Sequence, residues 1–156
     1  MTGPAQGRTD RAERLIGAPA ARLFACWTDP ALMVHWLPPR GMSGRVAHFD
    51  PRPGGLFRLV LTYEDAGHAG KSDAGSDIVA GQFVGMDPPR HLAFVSRFDS
   101  DDPAFQGEMR MDWHFEPATG GTLVRIVAAN VPPGISAEDH AAGMESSLTQ
   151  LAALVE

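Results

Sequence analysis

Six histidines and a single cysteine are the side chains with which this chain could bind a metal ion or supply a nucleophile. No two histidines have the i, i+4 spacing that places a pair of zinc ligands on one helix face. We therefore expect no metal site. His114 lies on the same polar face of a predicted strand as Arg110 and Asp112, a pattern that indicates a charged outer face of a sheet. The histidines are His35, His48, His68, His91, His114 and His140.

The sequence contains no recognisable motif for nucleophilic catalysis. Cys26 lies beside Trp27 on a predicted amphipathic helix, a position typical of a small buried hydrophobic residue. The segment 136–140 contains residue types of a catalytic triad, but the spacing of Ser136 and His140 is that of a capped helix start. The pair Gly54-Gly55 lacks the lysine and the helix of a phosphate-binding loop. We predict no catalytic residue and no cofactor.

Apolar and aromatic side chains are the better candidates for a binding surface. Small-molecule pockets are mostly apolar, with a few polar groups that orient the ligand. A buried phenol needs a hydrogen-bond partner, so Tyr63 could orient a ligand. The same side chains could instead fill a core at ordinary density. The candidate ligand-binding residues, on the inward face of a predicted sheet and its covering helices, are Trp36, Phe57, Leu59, Tyr63, Phe83, Phe94, Phe98, Met111, Trp113, Met144 and Leu148.

Composition excludes several classes of protein. With 156 residues, 44% hydrophobic and 21% charged, the chain has the profile of one folded domain rather than a disordered one. Its net charge of −6 and its single lysine, Lys71, argue against nucleic acid or an anionic membrane as partner. No run of about 18 apolar residues is present, and the first residues lack the features of a secretory signal. We therefore expect neither a membrane span nor a secretory signal.

Local signals predict one strand and two short helices at the start of the chain. The strand is expected over Thr9–Ile16 and the first helix over Pro19–Thr28. Asp29 and Pro30 suit the N-cap and first position of a second helix over Ala31–Trp36, which the following prolines end.

A period of two then predicts an antiparallel sheet, followed by one long helix. The clearest strand alternates apolar and polar residues, as expected where one face contacts water. The final helix has Ser136 as its N-cap and an apolar stripe that includes Met144 and Leu148. The predicted elements are the strands Ser43–Phe49, Leu56–Tyr63, Ile78–Met86, His91–Phe98, Glu108–Glu116 and Thr122–Asn130, and the helix Ala137–Val155.

Five short motifs stand in the order and spacing of one known family. They are Ala18-Pro19, Trp27-Thr28-Asp29-Pro30, Trp36-Leu37-Pro38-Pro39-Arg40-Gly41, Asp50-Pro51-Arg52-Pro53-Gly54-Gly55 and Gly120-Gly121-Thr122. On these motifs the sequence resembles the activator-of-heat-shock-protein-90-ATPase-homologue-like proteins of the START and polyketide-cyclase superfamily. The resemblance implies an α+β helix-grip (START-like) fold, in which a curved seven-stranded antiparallel sheet wraps around a long C-terminal helix. We expect residues 1–8 to be flexible and residues 9–156 to form one such domain.

The resemblance also implies a cytoplasmic protein with an apolar cavity between sheet and helix. Family members often carry a Gly-Trp pair early in the last helix, where this chain has Gly143-Met144. Because methionine is flexible, we expect the cavity near Met144 to differ in shape from that of relatives.

Three functions follow as hypotheses. The first is the binding of a small apolar or aromatic molecule in the cavity. The second is an enzyme like the polyketide cyclases or related hydrolases, with Tyr63 or His48 as acid or base. The third, implied by the family name, is binding of a chaperone and stimulation of its ATPase, although the naming member has an additional chaperone-binding domain. We favour the first hypothesis. The sequence does not decide between a monomer and a homodimer.

Overall fold

Seven strands and three helices make up the part of the chain that the computed structural model describes, residues 8–38, 41–63, 76–97, 103 and 107–156. Each predicted element is present, and its bounds differ from the predicted ones by two residues at most. The strands are β1 (Arg8–Ile16), β2 (Met42–Phe49), β3 (Leu56–Tyr63), β4 (Ser76–Asp87), β5 (His91–Arg97), β6 (Glu108–Ala118) and β7 (Gly121–Val131). The helices are α1 (Ala20–Thr28), α2 (Pro30–Trp36) and α3 (Ala137–Val155).

The strands form one antiparallel sheet in the order β1-β7-β6-β5-β4-β3-β2. Strands β2 to β7 pair in sequence order, and β1 pairs with β7 at the end of the row. The pairing shifts register between Phe83 and Gly85 and again between Val46 and His48. Such irregularities bend a sheet. With α3 following the last strand, this topology confirms the predicted α+β helix-grip fold.

One face of the sheet is buried beneath the helices. In β3, Phe57 and Leu59 are buried, whereas their neighbours Leu56 and Arg58 are exposed. Strand β6 alternates in the same way, as its sequence predicts: Trp113 is buried and Arg110 is exposed. Helix α1 packs against β6, and α3 packs against β1 and both short helices.

Two of the helices begin with a side-chain cap, in each case at the residue that the sequence predicts. The carboxylate of Asp29 accepts a hydrogen bond from the backbone N–H of Ala31 at 2.9 Å, and the hydroxyl of Ser136 accepts one from Asp139 at 3.0 Å. Each cap satisfies a backbone donor that has no partner within the helix. Helix α1 begins one residue later than predicted, because Pro19 has the extended backbone of an N-cap residue.

A glycine is required where β7 begins. Gly121 has a φ of 148°, and a Cβ atom there would lie 2.1 Å from the carbonyl oxygen of Ile16. The next residue, Thr122, is fully buried and donates its hydroxyl to the carbonyl oxygen of Ala18 at 2.7 Å. These contacts hold the end of β1 and the start of α1 against β7. None of the helices within the described residues has the length and hydropathy that crossing a membrane requires.

Candidate functional site

A cavity of about 290 Å³ lies between the inner face of the sheet and the first half of α3. The sheet supplies one wall, the end of α1 and Leu37 supply a second, and α3 supplies the third. Gly143 and Ile78, which border the cavity, are exposed to solvent. The residues that border it are Trp27, Leu37, Phe57, Ile78, Val79, Ala80, Phe94, Ser96, Met109, Met111, Ile126, His140, Gly143, Met144 and Ser147.

The predicted ligand-binding residues divide into two groups. Phe57, Phe94, Met111 and Met144 border the cavity. The others that the structure describes are buried and do not border it, so they support the cavity walls from behind. These supporting residues are Trp36, Leu59, Phe83, Trp113 and Leu148. The predictions for Phe98 and for the side chain of Tyr63 fall outside the described part of the chain.

Trp27 borders the cavity and also packs against the other aromatic residues of the core. Its ring centroid lies 5.4 Å from that of Trp36, 5.3 Å from that of Trp113 and 5.1 Å from that of Phe94. The indole N–H of Trp36 donates to the carbonyl oxygen of Cys26 at 3.0 Å. Within the described residues, the buried indole N–H groups of Trp27 and Trp113 have no hydrogen-bond acceptor. Edge-to-face packing of this kind makes a stiff wall.

His140 is the ionisable residue that borders the cavity within the described residues. Its Nδ1 atom lies 2.7 Å from a carboxylate oxygen of Asp10, and the two side chains are 14% and 9% exposed. Arg8 holds the other oxygen of Asp10 at 2.8 Å and donates to the carbonyl oxygen of Ile135 at 2.6 Å. The hydrogen bond from Arg8, reinforced by that from His140, lowers the pKa of Asp10 against the opposing effect of burial.

The strand register explains how His140 reaches both Asp10 and the cavity. Asp10 pairs with Ala128, Ala128 with Met111, and Met111 with Phe94, so these residues form one row across four strands. Along this row, the carboxylate of Asp10 is followed by the small side chain of Ala128 and then by Met111 and Phe94, which both border the cavity. The imidazole of α3 lies at this row, with Asp10 on one side and the cavity on the other.

Sequence analysis missed both His140 and Trp27 as site residues. His140 was assigned to a capped helix start, although it precedes Met144 by four residues and so extends the apolar stripe by one turn. That spacing is a signal by which it could have been found. Trp27 enters the sequence analysis only as part of a predicted amphipathic helix and of one family motif. Asp10 carries no local signal, because only the pairing of β1 with β7 brings it beneath α3.

A cluster of potential metal ligands lies on the outer face of the sheet. One ligand atom from each of His91, Asp112 and His114 falls within 4.8 Å of the other two. Both carboxylate oxygens of Asp112 are already bound, one by His91 at 2.7 Å and one by Arg110 at 2.8 Å. The guanidinium of Arg110 therefore competes with any cation for this carboxylate. This is the charged outer face that the alternation in β6 predicts.

Two other candidate groups lie away from the cavity. His48 borders a more open groove of about 400 Å³ on the outer face, together with Leu56 and Arg58. That position separates it from the inner cavity, where the enzyme hypothesis needs an acid or base. Cys26 is buried, and burial raises the pKa of its thiol, which keeps it from forming the reactive thiolate.

Comparison with known proteins assigns the chain to a family. The family model described as Activator of Hsp90 ATPase homolog 1-like protein matches residues 17–156. The chain belongs to this family. The match covers α1, α2, strands β2 to β7 and α3, and so includes every element that borders the cavity. No curated protein is similar enough in sequence to match this member of the Activator of Hsp90 ATPase homolog 1-like family.

Solved structures of similar proteins share the fold. Protein CV1439 of Chromobacterium violaceum is 29% identical, with a TM-score of 0.82 over 95% of this chain and 96% of that one. A protein of Rhodobacter sphaeroides is 26% identical, with a TM-score of 0.77 over 97% and 94%. An AHSA1-like protein of Aeromonas hydrophila is 18% identical, with a TM-score of 0.75 over 94% and 91%, and supports the fold alone. The family and its fold agree with a small ligand-binding helix-grip protein in general terms.

Proposed function

We propose that this protein binds a small, largely apolar molecule in the cavity between the sheet and α3. The observation that carries the proposal is the cavity itself, which is covered by α3 and bordered by Trp27, Phe57, Phe94, Met111 and Met144. Concave, mostly apolar sites with a few polar groups are the usual binding sites for small molecules. The outer groove is larger but more open, and charged side chains border it.

The volume of the cavity limits the size of the ligand. An engineered apolar cavity of about 150 Å³ holds a benzene molecule. At about 290 Å³, this cavity has room for a body of two fused aromatic rings. The space exists because α3 presents Gly143 and Ser147 beside it, and neither carries a large side chain. Burial of such a ring system stabilises the complex by roughly 25 cal/mol for each Å² of apolar surface removed from water.

Titration calorimetry with naphthalene tests the proposal, using a variant that fills the cavity. Met144→Trp replaces a buried residue at the cavity wall with a larger one, and relatives often carry tryptophan after the glycine, so we expect it to fold. The variant should bind naphthalene roughly tenfold more weakly or worse, equivalent to about 1.4 kcal/mol. Ala142→Trp is the matched control, because it adds the same side chain at an exposed position of α3.

The two variants together decide the outcome. Equal loss of binding in both would place the effect in α3 as a whole rather than in the cavity. Unchanged binding in Met144→Trp, with the fold confirmed by circular dichroism, would contradict the proposed site. Native mass spectrometry of freshly purified protein complements the titration, because a mass that disappears on denaturation identifies a molecule already bound.

A further inference from the structure

The polar border of the cavity points to the chemical class of the ligand. Nearly all bordering side chains are apolar, so any hydrogen-bonding group of the ligand has few partners. His140 and Ser147 from α3, Ser96 from β5 and Trp27 from α1 are the bordering residues whose side chains carry a nitrogen or oxygen atom, and the indole N–H of Trp27 is a donor without an acceptor within the described residues. Of these, His140 has its ring fixed by a charged partner, the carboxylate of Asp10 at 2.7 Å. A polar group held in one orientation costs little further ordering when a ligand binds.

The partner also determines which ring nitrogen of His140 is left for a ligand and whether that nitrogen donates or accepts a hydrogen bond. Asp10 is a carboxylate at neutral pH, because Arg8 and His140 lower its pKa. A carboxylate only accepts hydrogen bonds, so Nδ1 of His140 must carry the proton that it donates to Asp10. In the neutral ring the remaining nitrogen, Nε2, is then an acceptor. Within the described residues no side chain or backbone group hydrogen-bonds to Nε2.

We propose that the ligand carries a hydroxyl group, of the phenol or alcohol class, which donates a hydrogen bond to Nε2 of His140 while its apolar body fills the cavity. This inference rests on the proposed function. Asp10 is a positioning residue in it, since it fixes the tautomer and the orientation of the ring without touching the ligand. Arg8 in turn holds Asp10 and the backbone of Ile135 just before α3.

Three ring compounds of similar size separate the hydrogen bond from the apolar contact. Naphthalene fills the cavity without a polar group, 2-naphthol adds a hydroxyl donor, and 2-methoxynaphthalene has the same oxygen without its proton. Calorimetry at pH 8 should show the wild-type protein binding 2-naphthol about threefold to tenfold more tightly than 2-methoxynaphthalene, the range expected for one hydrogen bond. No such preference by the wild-type protein would overturn the inference.

Variants at His140 and Asp10 complete the test. His140→Phe keeps an aromatic ring but has no acceptor, so it should lose the preference for 2-naphthol over 2-methoxynaphthalene, and its affinity for naphthalene measures how far the substitution changes the apolar contact. Asp10→Asn should reduce the preference for 2-naphthol, because His140 is then no longer held with its proton on Nδ1. The nitrogen chemical shifts of His140 measure which ring nitrogen carries the proton. Ser96→Ala is the matched control, because it removes a different polar group at the cavity border and should keep the preference.

The outcomes distinguish this inference from the proposed function. If His140→Phe retains the preference for 2-naphthol, the inference is wrong while binding in the cavity stands. If His140→Phe binds naphthalene normally without that preference, the inference is supported. If none of the three compounds binds the wild-type protein, the proposed function fails, and the inference fails with it.

Discussion

One of the residues that border the cavity is a glycine inside a helix. Gly143 lies in the middle of the first half of α3, where a Cβ atom would meet no other atom within 4 Å. Glycine in a helix costs about 1 kcal/mol relative to alanine, because the unfolded chain is more flexible. At this residue the cavity border therefore has no side chain, and the helix is less stable than it would be with alanine.

Gly143→Ala should raise the free energy of unfolding by up to about 1 kcal/mol, because alanine favours the helix and has room for its methyl group. Urea denaturation of both proteins measures the difference. Gly121→Ala is the opposite control: its Cβ would lie 2.1 Å from the carbonyl oxygen of Ile16, so it should destabilise the protein. A Gly143→Ala variant less stable than wild type would contradict the geometry described for α3.

His114 gives the stability of the protein a defined dependence on pH. Burial, with a smaller contribution from the nearby His91, lowers the pKa of His114. The unfolded chain therefore binds this proton at a higher pH than the folded protein does. Stability is complete above the ordinary histidine pKa of about 6.5 and falls as the pH drops from there to the lower folded value.

His114→Asn should therefore lose less free energy of unfolding than wild type between about pH 7.5 and about pH 5. Burial raises the pKa of Asp112, but the hydrogen bonds and the charges of Arg110 and His91 together outweigh it, and this lowered pKa affects stability only at more acidic pH. Denaturation curves at the two pH values provide the comparison. Identical losses in the two proteins would show that His114 is not responsible.

At the scale of the secondary-structure elements, the side chain of Gln150 in α3 is hydrogen-bonded to the end of α2. The side-chain amide of Gln150 donates to the carbonyl oxygens of Trp36 at 2.5 Å and Pro38 at 2.9 Å. Both acceptors lie at the end of α2, next to Leu37 at the cavity border. The position of that border therefore depends on a contact some distance along α3 from the cavity.

Gln150→Ala should lower the free energy of unfolding by about 1–3 kcal/mol, because two partly buried carbonyl oxygens lose their donor. Hydrogen exchange of the α2 amides should become faster than that of the β6 and β7 amides. Gln82→Ala is the matched control, since Gln82 makes one exposed hydrogen bond to Gly54 and its loss should cost less. Equal effects of the two substitutions would contradict the special role of Gln150.

For the whole molecule, local sequence signals predict the elements but not the shape of the space between them. The caps at Asp29 and Ser136 and the alternation in β6 depend on neighbours within a few residues, so they are readable from sequence. The cavity depends on side chains that five strands and two helices bring together. Trp36 and Trp113 belong to the predicted binding surface but lie behind it, because the depth of a side chain is set by packing between elements. His140 acquires its partner only through the pairing of β1 with β7.

The packing of the three tryptophan rings against one another has an optical consequence. Trp27, Trp36 and Trp113 are the three tryptophans of the chain, and their ring centroids lie within 5.6 Å of one another. At such separations excitation passes between indoles before light is emitted. The ultraviolet fluorescence of the protein therefore comes from one coupled chromophore, and its colour and polarisation report on a single place, the aromatic side of the cavity.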